Sequence, residues 1–576
     1  MNEPRPSPDR HLRLLGPADL DSLDPAVSCL PAAGQIARLH ARQLFTYPPQ
    51  PDLRDFRAIA PVPDIAADIP SIYNAGVGAS HRSYTVHIRR GVWWDTSPAR
   101  EVNAHDFVRA FKRMCNPVAP CPAISYFTST IRGMAQYCQA YAAAVRGVPT
   151  AGSLAGFQNA HDIPGVRAVD DGTLVFELIR PAPDFLWILA LPCVSPAPVE
   201  YDAFLPDSPE LGDNLRATGP YRLLRYQPGE AIRLAPNPVW RQDSDPVRRR
   251  ALAGVEVRIR PATPAEMTEE IVSGTADLPW GTESARQEPT PRGSAEPSPG
   301  TDDGSGLGYS LDPYLVFNLR SPNAGRATGR VGTRRAISYA IDRTAIAGIV
   351  AELVPGATVR IAHAVVPPGN DAYQGADPYP APGDHGDPDR SRALLAGAGD
   401  DRMGLTLVHL DSVLATRVAA SCASDLEKVG IAIRTVPLGE REYHRLLLDP
   451  ARASQGAWDI ALAARSPDWY YQNARVFLQP MFQSAPYPSP VNHGGYRDPA
   501  VDRLIETALS SFQPGQAEQA WREVERRVLA DAAVVPILFR APAAPQRHAA
   551  RVRDATAIPT LAFTVDLATV RLDDAD

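Results

Sequence analysis

The chain has 576 residues, 44% of them apolar and 21% charged, with a formal net charge of -7. That length exceeds what one hydrophobic core serves and implies two to four domains, while the composition is that of an ordinary globular protein. The acidic balance excludes a nucleic-acid partner, and no window reaches the roughly 18 consecutive apolar residues of a membrane helix.

The opening residues, MNEPRPSPDRHLRLLGPADLDSLDPA, show no basic segment followed by an apolar one, so no export signal or lipidation motif is expected in the chain as it stands. Leu12 to Leu15 reads as a short strand, and Asp19 to Pro25 as a turn-rich loop. Tyr84, Val86 and Ile88 alternate as in a half-buried strand that Gly91 ends. A helix follows in which Asn103 is the N-cap and Asp106 completes a capping box. Phe107, Ala110, Phe111 and Met114 then fall on one face. Trp93 and Trp94 are pocket aromatics or core, and core is the commoner fate of such residues.

Six cysteines are present, at 29, 115, 121, 138, 193 and 422, and the three between Cys115 and Cys138 fit no paired zinc pattern. Either two of Cys115, Cys121 and Cys138 form a local disulfide, or all are buried thiols packing as small hydrophobes. Val166 to Leu178 reads as a hairpin turning at Asp170-Asp171-Gly172. A second hairpin runs from Tyr221 to Tyr226, turns at Gln227-Pro228-Gly229-Glu230 and returns through Ala231 to Ala235. Val255, Val257 and Ile259 alternate in a further strand, and Pro264 to Leu278 holds a short helix ending at Gly274.

Arg286 to Gly308 is rich in Pro, Ser, Gly, Thr and acid without periodicity and reads as a surface insertion. Tyr314 to Leu319 is a strand, and Thr333 is placed to cap a helix through Ile341, after which Asp342 caps the next one. Leu405 to Leu410, a helix with Ala415, Val418, Cys422, Leu426 and Val429 on one face, and Ile431 to Val436 make a βαβ unit and hence a parallel sheet. Trp458 to Ala464 is a strand, Pro499 to Ala508 and Ala517 to Leu529 are helices, and Val534 to Phe539 is a closing apolar strand.

Three blocks carry a family resemblance. They are Thr218-Gly219-Pro220-Tyr221 with Pro228-Gly229-Glu230, Asn237-Pro238 and Trp240; Gly91-Val92-Trp93 with Ala104 and Asp106; and Arg335-Ala336-Ile337 with Tyr339-Ala340-Ile341-Asp342-Arg343. The chain resembles the family 5 solute-binding proteins of ABC transporters, the peptide-, oligopeptide- and nickel-binding group. The resemblance implies an α/β two-lobed periplasmic-binding-protein fold (type II, class C) with mixed sheets, a hinge and an extra subdomain. The expected division is 1–45 and 166–265 in the first lobe, 46–165 as its extra subdomain, 266–530 as the second lobe and 531–576 as the return.

Catalytic patterns are missing: there is no G-x-S-x-G, H-E-x-x-H, C-x-x-C or phosphate-loop motif, so no catalytic residue, metal or cofactor is expected. By the resemblance the chain is a monomeric extracellular, periplasmic or lipid-anchored protein that captures a peptide or similar small solute and delivers it to a membrane permease. The alternatives are a ligand-sensing or chaperone-like binding protein without a transporter, and an enzyme on the same scaffold.

The binding residues expected are Asp468, Arg465, Trp469 and Tyr470, with Ser28 and Cys29 from the loop Val27 to Gly34 after the first strand. Asp468 stands where the peptide-binding members of the family carry Trp-x-x-Asp-Tyr, whose aspartate pairs with the ligand's ammonium. An ammonium in a poorly hydrated cleft needs such a partner to offset its desolvation. This chain departs from the pattern at Arg465, which replaces the tryptophan, and at Tyr470-Tyr471-Gln472. Arg465 therefore either meets a ligand carboxylate or pairs with Asp468.

Overall fold

The computed structural model describes residues 10–573 apart from 29, 51–54, 146, 282–307, 355–356, 399–402, 471–473, 512 and 542–547. The chain divides into two compact units, Met1–Thr282 with Pro545–Asp576, and Glu283–Ala544. The divisions therefore fall at 282 and 545, later than the 265 and 531 expected. The insertion expected at Arg286 to Gly308 lies, but for Gly308, outside the described residues.

The first unit is built on a five-stranded sheet in the order Leu278–Pro279, His11–Gly16, Gly254–Ile259, Ala231–Pro236, Tyr221–Gln227. The first three strands are parallel and the last three antiparallel. Leu12, Leu14, Val255, Val257, Ile232 and Leu234 are buried in one core beneath the helix Pro31–His40, as their alternation requires. That helix begins inside the stretch expected to be loop, because Pro31 lacks the N–H that a first helical turn leaves unused.

Between the strands His11–Gly16 and Tyr221–Gln227 the chain builds a three-stranded antiparallel sheet, Ser83–His87, Thr173–Glu177 and Val166–Asp170. The helix Ala104–Met114 packs beside it. Its capping box is complete: the Asn103 side chain accepts from the N–H groups of His105 and Asp106, and the Asp106 carboxylate accepts from Asn103 N–H at 3.1 Å. Phe107, Ala110, Phe111 and Met114 are buried, and Phe111 meets Phe127 and Phe176 edge-on. Trp94 is core and donates its indole N–H to Asp106 at 3.0 Å. A disulfide joins Cys115 to Cys138, and Cys121 is a buried free thiol.

The hairpin motif is explained by what it packs against. The carbonyl of His40, the last residue of the helix Pro31–His40, accepts from Thr218 N–H and Gly219 N–H, each at 2.9 Å. A Cβ on Gly219 would lie 2.5 Å from the Leu39 carbonyl oxygen, so this approach of strand to helix end admits only glycine. Asn237 donates to the Gly219 carbonyl at 2.9 Å, and Trp240 donates to Asp245 at 3.1 Å. Asp245 belongs to a fully buried set of four charges. Arg42 and Arg248 reach Asp64 at 2.8 and 2.9 Å and Asp245 at 3.5 and 3.4 Å, all with side chains 0% exposed. Burial alone would raise the Asp245 carboxyl, but Arg42 and Arg248 overcome it and hold the group well below the usual carboxylate range.

The C-terminal residues complete this unit. Arg38 pairs with Asp566 at 2.8 Å inside the core, and Arg551 and Arg13 share Asp277 at 2.7 and 3.3 Å.

The second unit holds a seven-stranded mixed sheet. Its path runs Val359–Ile361, Leu538–Arg540, Ser310–Phe317, Ile460–Arg465, Met403–Leu410, Ile431–Leu438, and Val534–Pro536 also pairs with Ser310–Phe317. Met403–Leu410 is parallel to both Ile431–Leu438 and Ile460–Arg465, with the helix Val413–Glu427 as the crossover. Gly430 ends that crossover with φ near 91°. The strand expected at Val534 to Phe539 thus belongs to this sheet and does not begin the return to the first unit, since its backbone groups pair with Ser310–Phe317.

The motif Arg335 to Arg343 spans the end of one helix, Val331–Ala340, and the start of the next, Arg343–Leu353. Asp342 caps the second by accepting from Ala345 N–H at 2.7 Å. Thr333 does not cap the first: a 3₁₀ turn carries the chain into the helix two residues earlier, and Thr333 is buried within it. Ile337 and Ile341 both lie in the core.

Candidate ligand-binding segment

The strand Ile460–Arg465 lies between Ser310–Phe317 and Met403–Leu410, and this central place fixes where its C-terminal residue stands. Arg465 is held by the following helix, Ala474–Phe482: its guanidinium donates to the Val476 carbonyl from Nε at 3.1 Å and Nη2 at 2.7 Å. The same Nη2 forms an ion pair with the Asp468 carboxylate. The Arg465 side chain is 14% exposed and that of Asp468 29% exposed, so the pair stands at the boundary between protein and solvent. The Ser466 hydroxyl meets that of Ser310 at 2.9 Å, which ties the turn back to the sheet.

Trp469 is fully buried and Tyr470 nearly so. Burial, and then the nearby Asp468 carboxylate, push the Tyr470 phenol upward, so it stays protonated as a neutral hydroxyl. His493 adds to the electrostatics of this region. Burial, then His444, Arg465 and Arg320, hold its imidazole down to about 4 and leave it neutral. The surroundings of Asp468 therefore contain fixed positive charge from arginine and no second carboxylate among the groups acting on His493.

Of the six residues expected to bind ligand, the structure brings together Arg465, Asp468, Trp469 and Tyr470 in one turn of the second unit. Ser28 lies in the first unit, its N–H donating to the Asp24 carbonyl at 3.0 Å, and Cys29 lies outside the described residues, as do Tyr471 and Gln472. Asp24 itself is committed to structure, buried in an ion pair with Arg113 from the helix Ala104–Met114.

One cluster with metal-ligating residue types escaped the sequence reading, because its members are separated by 14 and 7 residues and belong to no motif. His363, Asp377 and Asp384 bring ligand atoms within 4.8 Å of one another. Each ring nitrogen faces its own carboxylate, Nδ1 towards Asp377 and Nε2 towards Asp384, both at 3.4 Å, so an imidazole between two acids accounts for the arrangement without an ion. Sequence reasoning also missed Glu525, buried in the helix Pro514–Ala530. Its carboxylate accepts from Val365 N–H at 2.8 Å and Val366 N–H at 2.7 Å. Burial pushes this carboxyl up to about 7 in spite of those two donors.

Comparison with known proteins places the chain. Residues 60–489 match the model of the bacterial extracellular solute-binding proteins, family 5. The periplasmic oligopeptide-binding protein OppA of Salmonella typhimurium is 24% identical over 482 residues, covering 82% of this chain and 79% of that protein. Among solved structures, the clavulanic acid biosynthesis oligopeptide binding protein 2 aligns with a TM-score of 0.70 at 23% identity, covering 99% of this chain and 97% of that one. Listeria monocytogenes OppA bound to peptide aligns with a TM-score of 0.72 at 16% identity, covering 99% and 100%. The fold is the two-lobed α/β fold of these proteins, and the chain belongs to the family 5 bacterial extracellular solute-binding proteins.

Proposed function

We propose that this protein is the solute-capturing component of an ABC importer, working outside the cytoplasmic membrane as a monomer without catalysis, and that its solute is a peptide. Family membership supports the importer role, and the names of the relatives, oligopeptide-binding proteins among them, support the peptide. In this reading Asp468 meets the ligand's ammonium. The observation that carries it is the Arg465–Asp468 pair: a carboxylate 29% exposed, at the end of a central strand, whose present partner is a guanidinium that also has a carbonyl to rest on. When an ammonium arrives, Arg465 keeps its two bonds to Val476 and the Asp468 charge is shared or exchanged, so no buried charge is left bare.

Native mass spectrometry of freshly purified protein identifies the co-purified solute, and calorimetry with that peptide measures its affinity. Replacing Asp468 by Asn is expected to weaken binding by about tenfold or more, corresponding to the loss of a desolvated charged hydrogen bond. Acetylating the peptide amine is expected to weaken the wild type similarly and the variant far less. Losses that simply add would show that Asp468 does not meet the amine and serves only to hold Arg465. An uncharged solute in the mass spectrum would remove the peptide assignment while leaving the family role intact.

A further inference from the structure

A small cavity in the first unit lies where five segments meet. These are the turn Asp24 to Ala26, the end of the helix Pro31–His40, the helix Ala104–Met114, residues 195–201, and the lead into the hairpin at Arg216 to Thr218. It has about 20 Å³ open to the centre of a water-sized sphere, above the roughly 10–15 Å³ that one water needs in that measure. Two buried atoms of residues in its wall have no hydrogen-bond partner: Nε2 of His40, a residue 3% exposed, and Nε of Arg216.

The other charged groups in the wall are already engaged. Arg113 pairs with Asp24 and lies over the ring of Tyr201 at 5.0 Å. The Tyr201 hydroxyl accepts from Arg216 N–H at 2.9 Å, and the Thr218 hydroxyl accepts from Arg42 N–H at 3.0 Å. Burial holds the His40 imidazole down to about 4, against the pull of Asp24 upward, so the ring is neutral at physiological pH. The unmet needs are therefore one donor that only donates, the Arg216 Nε–H, and one neutral ring nitrogen. A cation cannot accept from the guanidinium, and an anion has nothing to give to a neutral ring nitrogen.

We propose that this cavity is a binding site for a single structural water, which accepts from Arg216 Nε–H and donates to His40 Nε2. The bridge fixes His40 in the tautomer protonated at Nδ1. It also adds a side-chain link between the same two segments that the His40 carbonyl already joins through Thr218 and Gly219 N–H. The water belongs to the folded first unit and is present without solute.

The test is a crystal structure of the full chain at about 1.5 Å or better, grown once with chloride and once with bromide. A well-occupied peak within about 3.2 Å of both atoms, with no anomalous signal in bromide, is the expected result. An anomalous peak identifies a halide and overturns the assignment, as does an empty cavity. In solution, protein labelled with ¹⁵N-histidine is expected to show His40 protonated at Nδ1 and bare at Nε2 at neutral pH; a proton on Nε2 overturns the bridge. The variant His40→Phe keeps the ring and removes the acceptor, and it is expected to lose the peak. A peak unchanged in that variant also overturns the bridge, and the wild-type measurements decide the matter if the variant does not fold.

Discussion

In the hairpin of the first unit every polar group of the motif is consumed by the chain itself: Gly219 lets the His40 carbonyl in, Asn237 closes on the Gly219 carbonyl, and Trp240 bonds an aspartate buried with three other charges. In the 465–470 turn of the second unit, the ion pair stands partly in solvent with side chains 14% and 29% exposed. Both stretches carry the family resemblance, yet a charge with all its partners inside the chain has nothing left to offer a ligand. The half-exposed pair loses little by changing partners, because solvent already screens it. A motif residue is thus read by where its hydrogen bonds go, and the hairpin marks the fold while the turn marks the place to look for binding.

The largest expected effect tests the consumed side of this contrast. Asp245→Asn leaves Arg42 and Arg248 with Asp64 as their only remaining carboxylate in that cluster, and is expected to cost about 3–5 kcal/mol in urea denaturation of the protein. Because the Asp245 carboxyl is depressed in the folded state, its contribution is present above the ordinary aspartate range and is lost as pH falls below it. Acid unfolding of the wild type that matches that of the variant would show the four charges to be decorative.

Glu525 asks whether consumption is a property of burial in either unit. Its carboxyl is raised from 4.5 to about 7 in the folded protein. Folded protein therefore holds this proton more tightly than unfolded chain, so the contribution is full below pH 4.5 and declines as pH rises towards 7. The change is on the order of 3 kcal/mol across that window. Glu525→Gln is expected to flatten this part of the stability profile, measured as denaturation midpoint against pH; an unaltered slope would place the titration elsewhere.

Gly219→Ala is expected to destabilise by about 1–3 kcal/mol through overpacking against the Leu39 and His40 backbone, with solute affinity unchanged. Affinity lost in step with stability would erase the distinction between fold and binding motifs. The smallest effect belongs to Asp468→Asn, for which about 1 kcal/mol or less of stability is expected to be lost, since the pair is partly solvated and Arg465 retains Val476. A much larger loss would move this pair to the consumed side.

The parts of the fold that sequence reading reached were those with local causes. The Asn103–Asp106 capping box, the Asp342 cap, the turn at Gly229 and the stop at Gly430 each depend on residues within a few positions, and each is present. Thr333 was misplaced as a cap because a preceding 3₁₀ turn, invisible to periodicity, sets the helix start. The strands Val534–Pro536 and Leu538–Arg540 were legible as strands, but their sheet was not, since pairing with a segment more than 200 residues away leaves no local trace. At the candidate site the sequence offered two partners for Arg465, and only three-dimensional placement puts its guanidinium on Asp468 and Val476 together. Glu525 and the His363, Asp377 and Asp384 group had no signal at all, because nothing in their neighbours marks them for burial or proximity.

The ion pair between Arg38 and Asp566 joins residues 528 positions apart, and the strand His11–Gly16 sits between partners that begin at 254 and 278. The first unit therefore cannot reach its final form until nearly the whole chain has been made. The second unit, by contrast, is one continuous run and has all its sheet partners by residue 540. On a growing or threading chain the order of maturation is then the reverse of the order of synthesis: the later segment closes first, and the earlier one waits with its apolar strands exposed. A chaperone that holds extended chain is most needed over residues 11 to 280, and a C-terminal truncation that removes Asp566 leaves that half waiting permanently.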